Sequence, residues 1–290
     1  MTRPITFLSD YGYEDEFAGV CRAVIARIAP EATIIDLTHA IPRYDVRRGA
    51  AALERALPFT PPGVHLAVVD PGVGTARRPL AVRVAEEDRL LVGPDNGLLS
   101  AAISRLGGAV EVADLSRSPF RLLPVSATFH GRDVFAPVAA RLALGAALSE
   151  AGSAIGVETV FRAPAPQPRI EPGLLVGHVL HVDGFGNVTL DLRPEHLEGA
   201  AAGEPGPAQG SAPPAIGAPL AVEVGGFEHR ATLASTFADV DEGALLLYVD
   251  SSGRLALAVN RGHAGEALGV EPGEAVIVRP PAGADPESPV

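Results

Sequence analysis

The sequence predicts two domains: an α/β layer over residues 1–162 and a smaller all-β domain over residues 173–280. Three observations carry this. Up to about residue 160, short apolar runs alternate with amphipathic segments of helical period, the pattern of a largely parallel sheet flanked by helices. Residues 163–172 then read Ala-Pro-Ala-Pro-Gln-Pro-Arg-Ile-Glu-Pro, a proline-rich linker. Beyond it the helical period disappears, and short β-like runs separated by glycines take over.

Taken in order, Ile5 to Leu8 is a strand that breaks into the polar loop Ser9 to Glu16. Phe17, Val20, Cys21, Val24, Ile25 and Ile28 follow at helical spacing, and Pro30 ends that helix. Thr33 to Leu37 is the next strand, and Asp45 caps a helix from Val46 to Leu57. The apolar run Val64 to Val69 stops at Asp70, where Pro71-Gly72 forces a turn. Leu80 to Val84 and Leu90 to Val92 are strands joined through an acidic hairpin, Glu86-Glu87-Asp88. Gly93 to Gly97 reads as a plain tight turn before a helix from Leu98 to Leu106, and Val110 to Val112 is a strand. Asp133 is the expected N-cap of a helix from Val134 to Leu144. In the second domain the strands are Leu174 to Val182, Leu220 to Val224, Ala244 to Val249, Leu255 to Val259 and Ala275 to Val278, with no long helix. Residues 198–219, rich in Ala, Gly and Pro, read as a flexible insertion, and residues 281–290 as a tail.

Bulk properties narrow the function. The chain has 290 residues, 47% of them hydrophobic, which suffices for one large core or two ordinary ones. Its net charge of −12 argues against nucleic acid or an anionic membrane as the partner. No apolar run approaches the roughly 20 residues of a membrane span, and the start reads as a strand rather than a signal peptide. A cytoplasmic protein is expected. Cys21 is the single cysteine, which excludes internal disulfides and a cysteine zinc site. His178 and His181, three apart on a strand, face opposite sides and make a poor metal pair. There is no GxGxxG, Walker A loop or GxSxG motif.

The candidate site lies at strand ends. Asp10, His39 and Asp70 each stand just past a predicted strand, where α/β sheets bind ligands. Gly72 and Gly74 let a ligand approach the backbone, and the cations Arg77 and Arg78 follow at once. His130 and Arg132 flank Gly131 at a helix entrance. In the β domain, Asp183-Gly184-Phe185-Gly186-Asn187 offers a carboxylate, a ring to stack on a base and an amide to pair with its edge. Asp250-Ser251-Ser252-Gly253 is a polar turn.

These stretches together resemble the S-adenosyl-L-methionine hydroxide adenosyltransferases, the adenosine-forming S-adenosylmethionine hydrolases related to fluorinase and chlorinase. Seven segments carry the resemblance in order: Ser9 to Gly12, Asp36 to His39, Val69 to Gly74, Gly93 to Gly97, Thr128 to Asp133, Phe185 to Asn187 and Ser251 to Gly253. The resemblance implies an α/β domain followed by a β-barrel, and a homotrimer with sites at subunit interfaces. It implies a catalytic set of Asp70, Arg77 and His130, with Asp10 on the ribose. Asp15, Asp183 and Ser251 are expected near the methionine moiety, Phe185 and Asn187 near adenine, and Tyr44 as an aromatic wall. The implied reaction is attack of water at C5′, giving adenosine and L-methionine with no metal or other cofactor. Whether His130 takes a proton or orients the water stays open. The sequence departs from the family in having Ser9-Asp10-Tyr11 where Thr-Asp-Phe is commoner and Phe17 where Tyr or Ser often stands. The alternatives are a halogenase on the same scaffold, which carries Tyr-Ser or Tyr-Gly in place of His130-Gly131 and lacks the equivalent of Asp70, and a non-catalytic sensor of the same ligand.

Overall fold

The computed structural model describes residues 2–164, 167–201 and 214–280. The chain divides after Pro164 into two compact units.

The first unit holds a seven-stranded sheet. Its early elements are β1 (Ile5–Ser9), α1 (Phe17–Ile28), β2 (Ile34–Thr38), α2 (Val46–Ala56) and β3 (Val64–Val68). Then come β4 (Pro79–Val84), β5 (Leu90–Pro94), α3 (Ser100–Arg105) and β6 (Ala109–Asp114). The unit ends with a π-helical turn (Gly131–Phe135) running into α4 (Ala136–Ala143), then α5 (Leu148–Ala151) and β7 (Ser153–Ile155). The strand order is β2-β1-β3-β5-β4-β6-β7.

Strands β2, β1, β3 and β5 run parallel, whereas β4, β6 and β7 add antiparallel pairs. The sheet is therefore mixed, and the acidic hairpin explains why. A connection of five residues between β4 and β5 can only reverse the chain, since a parallel return needs a crossover of a dozen or more. The parallel half carries the predicted strand ends Asp10, His39 and Asp70 along one edge.

β1, β3 and β5 are buried throughout, as strands covered on both faces must be. Alternation along β1 sends Ile5 and Phe7 to a core shared with α1 and α4, and Leu8 to the opposite core with α2 and α3. Leu53 of α2 is fully buried in that second core, a burial worth about 1.5–3 kcal/mol. Asp45 caps α2 as expected, its Oδ1 accepting from Arg48 N at 2.9 Å. Asp133 does not cap a helix. It lies inside the π-turn, 2% exposed, and its carboxylate accepts from Ser126 N and the Arg132 guanidinium. His130 occupies the capping position instead. Gly93 and Pro94, read as part of a turn, extend β5.

The second unit is a closed barrel. Its elements are β8 (Arg169–Glu171), β9 (Leu174–Val182), β10 (Val188–Leu190), α6 (Pro194–Ala201), β11 (Pro219–Val224), β12 (Phe227–Leu233), β13 (Leu245–Val249), β14 (Leu255–Val259), α7 (Ala264–Leu268) and β15 (Ala275–Arg279). The order β10-β14-β13-β12-β11-β15-β9 closes through pairing of β9 with β10, and β8 adds to β9. Strict in–out alternation along β9 fills the interior with Leu175, Val179 and their partners. That alternation buries His181 and leaves His178 half-exposed, bonded to Asp191, so they form no metal pair. Two expectations need correction: Arg169–Glu171, within the expected linker, is a strand, and the expected insertion begins inside α6 and ends within β11. Most of that insertion (202–213) and the expected tail (281–290) lie outside the described residues. No helix among the described residues is long and apolar enough to cross a membrane.

Candidate active site

The carboxyl edge of the parallel strands forms one wall of a cavity of about 340 Å³ in the first unit. Asp10, Asp15, Tyr44, Asp70 and His130 line it, as do Tyr11, Phe17, Arg43, Val68, Val73, Thr128 and Phe129.

Asp70 leaves β3 through Val69 and enters a turn held by Val73 N to Asp70 O and Thr75 N to Gly72 O. Gly74 is required there. Its φ is +78°, and a Cβ would lie 2.5 Å from the carbonyl oxygen of Ala127. That contact seats the turn on the segment leading to His130. Arg77 folds back onto Asp70, donating from Nε to Oδ1 at 2.8 Å and from Nη2 to Oδ2. The two side chains are largely buried, 6% of Asp70's and 9% of Arg77's being exposed, and the guanidinium stacks over Phe135.

Arg77 Nη2 also stands 3.0 Å from His130 Nδ1. A guanidinium only donates, so Nδ1 accepts, and the proton of the neutral ring sits on Nε2. Burial, and then the positive charge of Arg77, holds His130 below its ordinary pKa. A carboxylate and a neutral histidine with a donating Nε2 therefore meet at one cavity wall, bridged by Arg77, which does not itself line the cavity. Carboxylates in such a setting can accept a proton from water while the neighbouring N–H orients it.

Asp10 faces the same space. Its Oδ2 accepts from Tyr44 N at 2.9 Å, which holds Tyr44 at φ +68°, a left-handed conformation that a residue with a Cβ seldom adopts. Burial raises the Asp10 carboxyl pKa, and the Tyr44 N–H is the largest opposing effect. His39 stands at the same edge but is 2% exposed and does not line the cavity. It bonds Ser9 Oγ through Nδ1 at 2.7 Å and packs edge-on against Phe7, so it supports the residue before Asp10.

Tyr11, Phe17 and Phe129 pack ring to ring along the cavity, with centroids 5.2–6.0 Å apart. Gly131 makes room for them: a Cβ there would sit 2.0 Å from the Tyr11 hydroxyl. Burial pushes that phenol well above its ordinary pKa, so it keeps its proton. Sequence reasoning missed Tyr11, Arg43, Thr128 and Phe129 as cavity residues. Tyr11, Thr128 and Phe129 fall within the segments that carry the family resemblance, and Arg43 sits beside Tyr44; those were the available signals.

Asp183, Phe185, Asn187 and Ser251 belong to the barrel unit. Asp183 ends β9 and accepts from Phe185 N, Asn187 N and Asn187 Nδ2 at 2.8–2.9 Å. Phe185 is left 83% exposed at the tip of this turn. Asp250 organises the turn carrying Ser251 by accepting from Ser252 and Arg254, and it also accepts from Thr189 of β10. Both turns meet at Tyr248, whose phenol is pushed up to about 12 by burial, with the Asp183 and Asp250 charges adding to it. Among the described residues, no group of three or more His, Cys, Asp or Glu side chains could hold a metal ion.

Residues 5–152 match the SAM hydroxide adenosyltransferase N-terminal domain, and residues 177–277 match the corresponding C-terminal domain. The chain is similar to a protein of Salinispora tropica named (R)-S-adenosyl-L-methionine hydrolase, 48% identical over 94% of this chain and 97% of that one. It is also similar, at 29% identity over 88% of this chain and 90% of that one, to a protein of Actinoplanes sp. named fluorinase. A crystal structure of an uncharacterized conserved protein from Thermotoga maritima superposes with a TM-score of 0.85 at 35% identity, covering 95% of this chain and 99% of that one. Two matched domains in the right order, the mixed sheet followed by a barrel, and relatives spanning nearly the whole length agree: this chain belongs to the SAM hydroxide adenosyltransferase family.

Proposed function

We propose that this protein hydrolyses S-adenosyl-L-methionine to adenosine and L-methionine by in-line attack of water at C5′. The Asp70–Arg77–His130 cluster, which puts Asp70 and His130 on the cavity wall and links them through Arg77, carries this reading. The sulfonium departs as a neutral thioether, so the leaving group needs neither an acid nor a metal. The difficulty lies in aiming a weak nucleophile opposite sulfur, and fixed alignment can remove up to roughly 7–11 kcal/mol of barrier. Asp70 takes the water proton. His130 donates from Nε2 to the water oxygen and fixes its direction, because its Nδ1 is occupied by Arg77. Arg77 holds both groups in place and offsets charge on the incoming oxygen.

Asp10 binds the ribose hydroxyls, and the Tyr11, Phe17 and Phe129 rings form an apolar wall. Asp15, also on the lining, faces the methionine moiety, and Tyr44 adds an aromatic wall. The remaining contacts come from the barrel of a neighbouring subunit in a homotrimer: Asp183 and Ser251 to methionine, Phe185 and Asn187 to adenine. The 83% exposure of the Phe185 ring supports a partner for it. We place the protein in the cytoplasm, consistent with its single, buried and unpaired Cys21.

Turnover in ¹⁸O-water tests the reaction. One label is expected in adenosine and none in methionine, and label in methionine would refute attack at C5′. Running the same assay with each sulfonium epimer tests whether the R configuration in the Salinispora protein's name extends to this chain. A halide competing for the water position would meet the Asp70 carboxylate, so 5′-chloro-5′-deoxyadenosine should not form in chloride buffer. Light scattering checks the assembly: a fully active monomer would remove the shared site.

A further inference from the structure

Two consecutive residues outside the cavity fasten both ends of the Asp70–Arg77 loop. Asn96 donates from Nδ2 to the carbonyl of Val69 at 2.9 Å, one peptide before Asp70, while its Oδ1 accepts from Leu98 N at 3.1 Å. Asp95 accepts from Arg78, one peptide after Arg77, through Nε at 3.0 Å and through Nη2. Its backbone N–H donates to Arg78 O at 2.9 Å, and its other carboxylate oxygen accepts from Phe161 N at 2.8 Å. Arg78 is tied further to Thr159 through Oγ1 and the backbone carbonyl. The Asp95 side chain is only 6% exposed.

The sheet order explains why this fastening falls on these residues. The loop joins β3 to β4, which are not neighbours, because β5 lies between them. β5 is parallel to β3 and antiparallel to β4, so its carboxyl end emerges between the two ends of the loop. Whatever follows Pro94 stands within reach of both. Inside the loop the restraints are local turns, the Thr75 hydroxyl, the Arg77–Asp70 pair and contacts to Ala127, His130 and Phe135, none of which ties it to a strand of the sheet.

We infer that Asp95 and Asn96 are positioning residues that set the separation and aim of Asp70 and Arg77, and through Arg77 the tautomer of His130. The inference rests on the reading of that cluster as the water-activating assembly. Neither residue lines the cavity, so loosening either should lower kcat and leave substrate binding nearly intact.

The test uses substitutions that remove one bond each. Asn96→Asp keeps an acceptor for Leu98 N and loses the donor to Val69. Asp95→Asn keeps the acceptor for Phe161 N and loses the charge facing Arg78. In each, kcat for adenosine formation should fall by about tenfold or more, with KM changed less than about twofold, since misplacement of about 1 Å can cost 10²-fold. In an Asp70→Asn background, Asn96→Asp should add little, whereas a general loss of folding would lower activity equally in both backgrounds. Imidazole ¹⁵N spectra of the unliganded protein give a readout independent of turnover. Asp95→Asn should release His130 Nδ1 from Arg77 and raise the Nδ1–H tautomer. Should these variants fail to fold, Arg78→Lys, which keeps the charge on Asp95 but not the forked contact, is expected to lose kcat alone. Wild-type kcat in the folded variants together with an unchanged His130 tautomer would overturn the inference. A wild-type protein that makes no adenosine would overturn the functional reading instead, and the tautomer measurement would still decide this one.

Discussion

Replacing Asp70 by Asn separates the charge of this site from its shape. The amide keeps an oxygen for the Arg77 Nε, which lies 2.8 Å from Oδ1, but turns an NH₂ toward Nη2, where two donors would face each other. One charge-assisted bond is lost, worth about 1.5–3 kcal/mol. The guanidinium, 9% exposed, loses its counter-ion as well, and breaking a buried pair costs up to about 3–5 kcal/mol. A fall in unfolding free energy of about 2–4 kcal/mol is therefore expected at pH 7. Loss of the proton acceptor should lower kcat by roughly 10²–10⁴-fold and leave KM nearly unchanged, because Asp70 faces the water rather than the bound ligand. Arg77→Ala should also lower kcat, and the double substitution should cost less than the sum. Urea denaturation gives the first quantity and chromatographic quantification of adenosine the second. An Asp70→Asn variant with wild-type kcat would refute the role of Asp70. One with unchanged stability would refute the buried pair.

Asp10→Ala should weaken substrate binding by at least about tenfold, from the loss of charge-assisted bonds to the ribose of roughly 1.5–3 kcal/mol each; calorimetry showing unchanged affinity would remove Asp10 from the site. Stability should also depend on pH through His65, which is fully buried between Thr6 and Arg89 and held by burial, then by Arg89, down to about 3 from an ordinary 6.5. Between those values the unfolded chain binds the proton and the folded one does not, so stability rises with pH across the window. It should be lost as pH falls below 6.5, by about 1.4 kcal/mol per unit. His130, also held low, acts in the same direction. Urea melts between pH 7 and 5 in an Asp10→Ala background isolate the histidines, because the raised Asp10 carboxyl acts in the opposite direction and the depressed carboxylates Asp133 and Asp250 lose their contribution only as pH falls through lower values. A flat profile there, or one that His65→Gln leaves unaltered, would contradict the assignment.

The sequence by itself determined the parts of this protein that local physics controls. The period of Phe17 to Ile28 marks α1 end to end, because one face of that helix must be buried whatever lies against it. Asp45 names its own helix start, and the runs Leu174 to Val182 and Leu255 to Val259 are strands as read. Asp10, Asp70 and His130, which line the cavity, were legible because strand ends and ordered motifs are local features, whereas Asp15 and Tyr44 came only from the family resemblance. Two strands escaped: Val188–Leu190 is only three residues long, and Phe227–Leu233 carries too many polar residues to stand out from its surroundings.

Tertiary structure alone decided what depends on distant residues meeting. Asp133 has the chemistry of a cap, but burial beside Arg132 and Ser126 gave it another task. The roles within the cluster were equally illegible, since only the 3.0 Å approach of Arg77 to Nδ1 fixes which nitrogen of His130 carries the proton. Asp95 and Asn96 read as an ordinary turn within a segment of the family resemblance, and nothing in their neighbourhood assigns them a task. Their significance comes from β5 lying between β3 and β4, an order set by how the whole sheet buries its two faces.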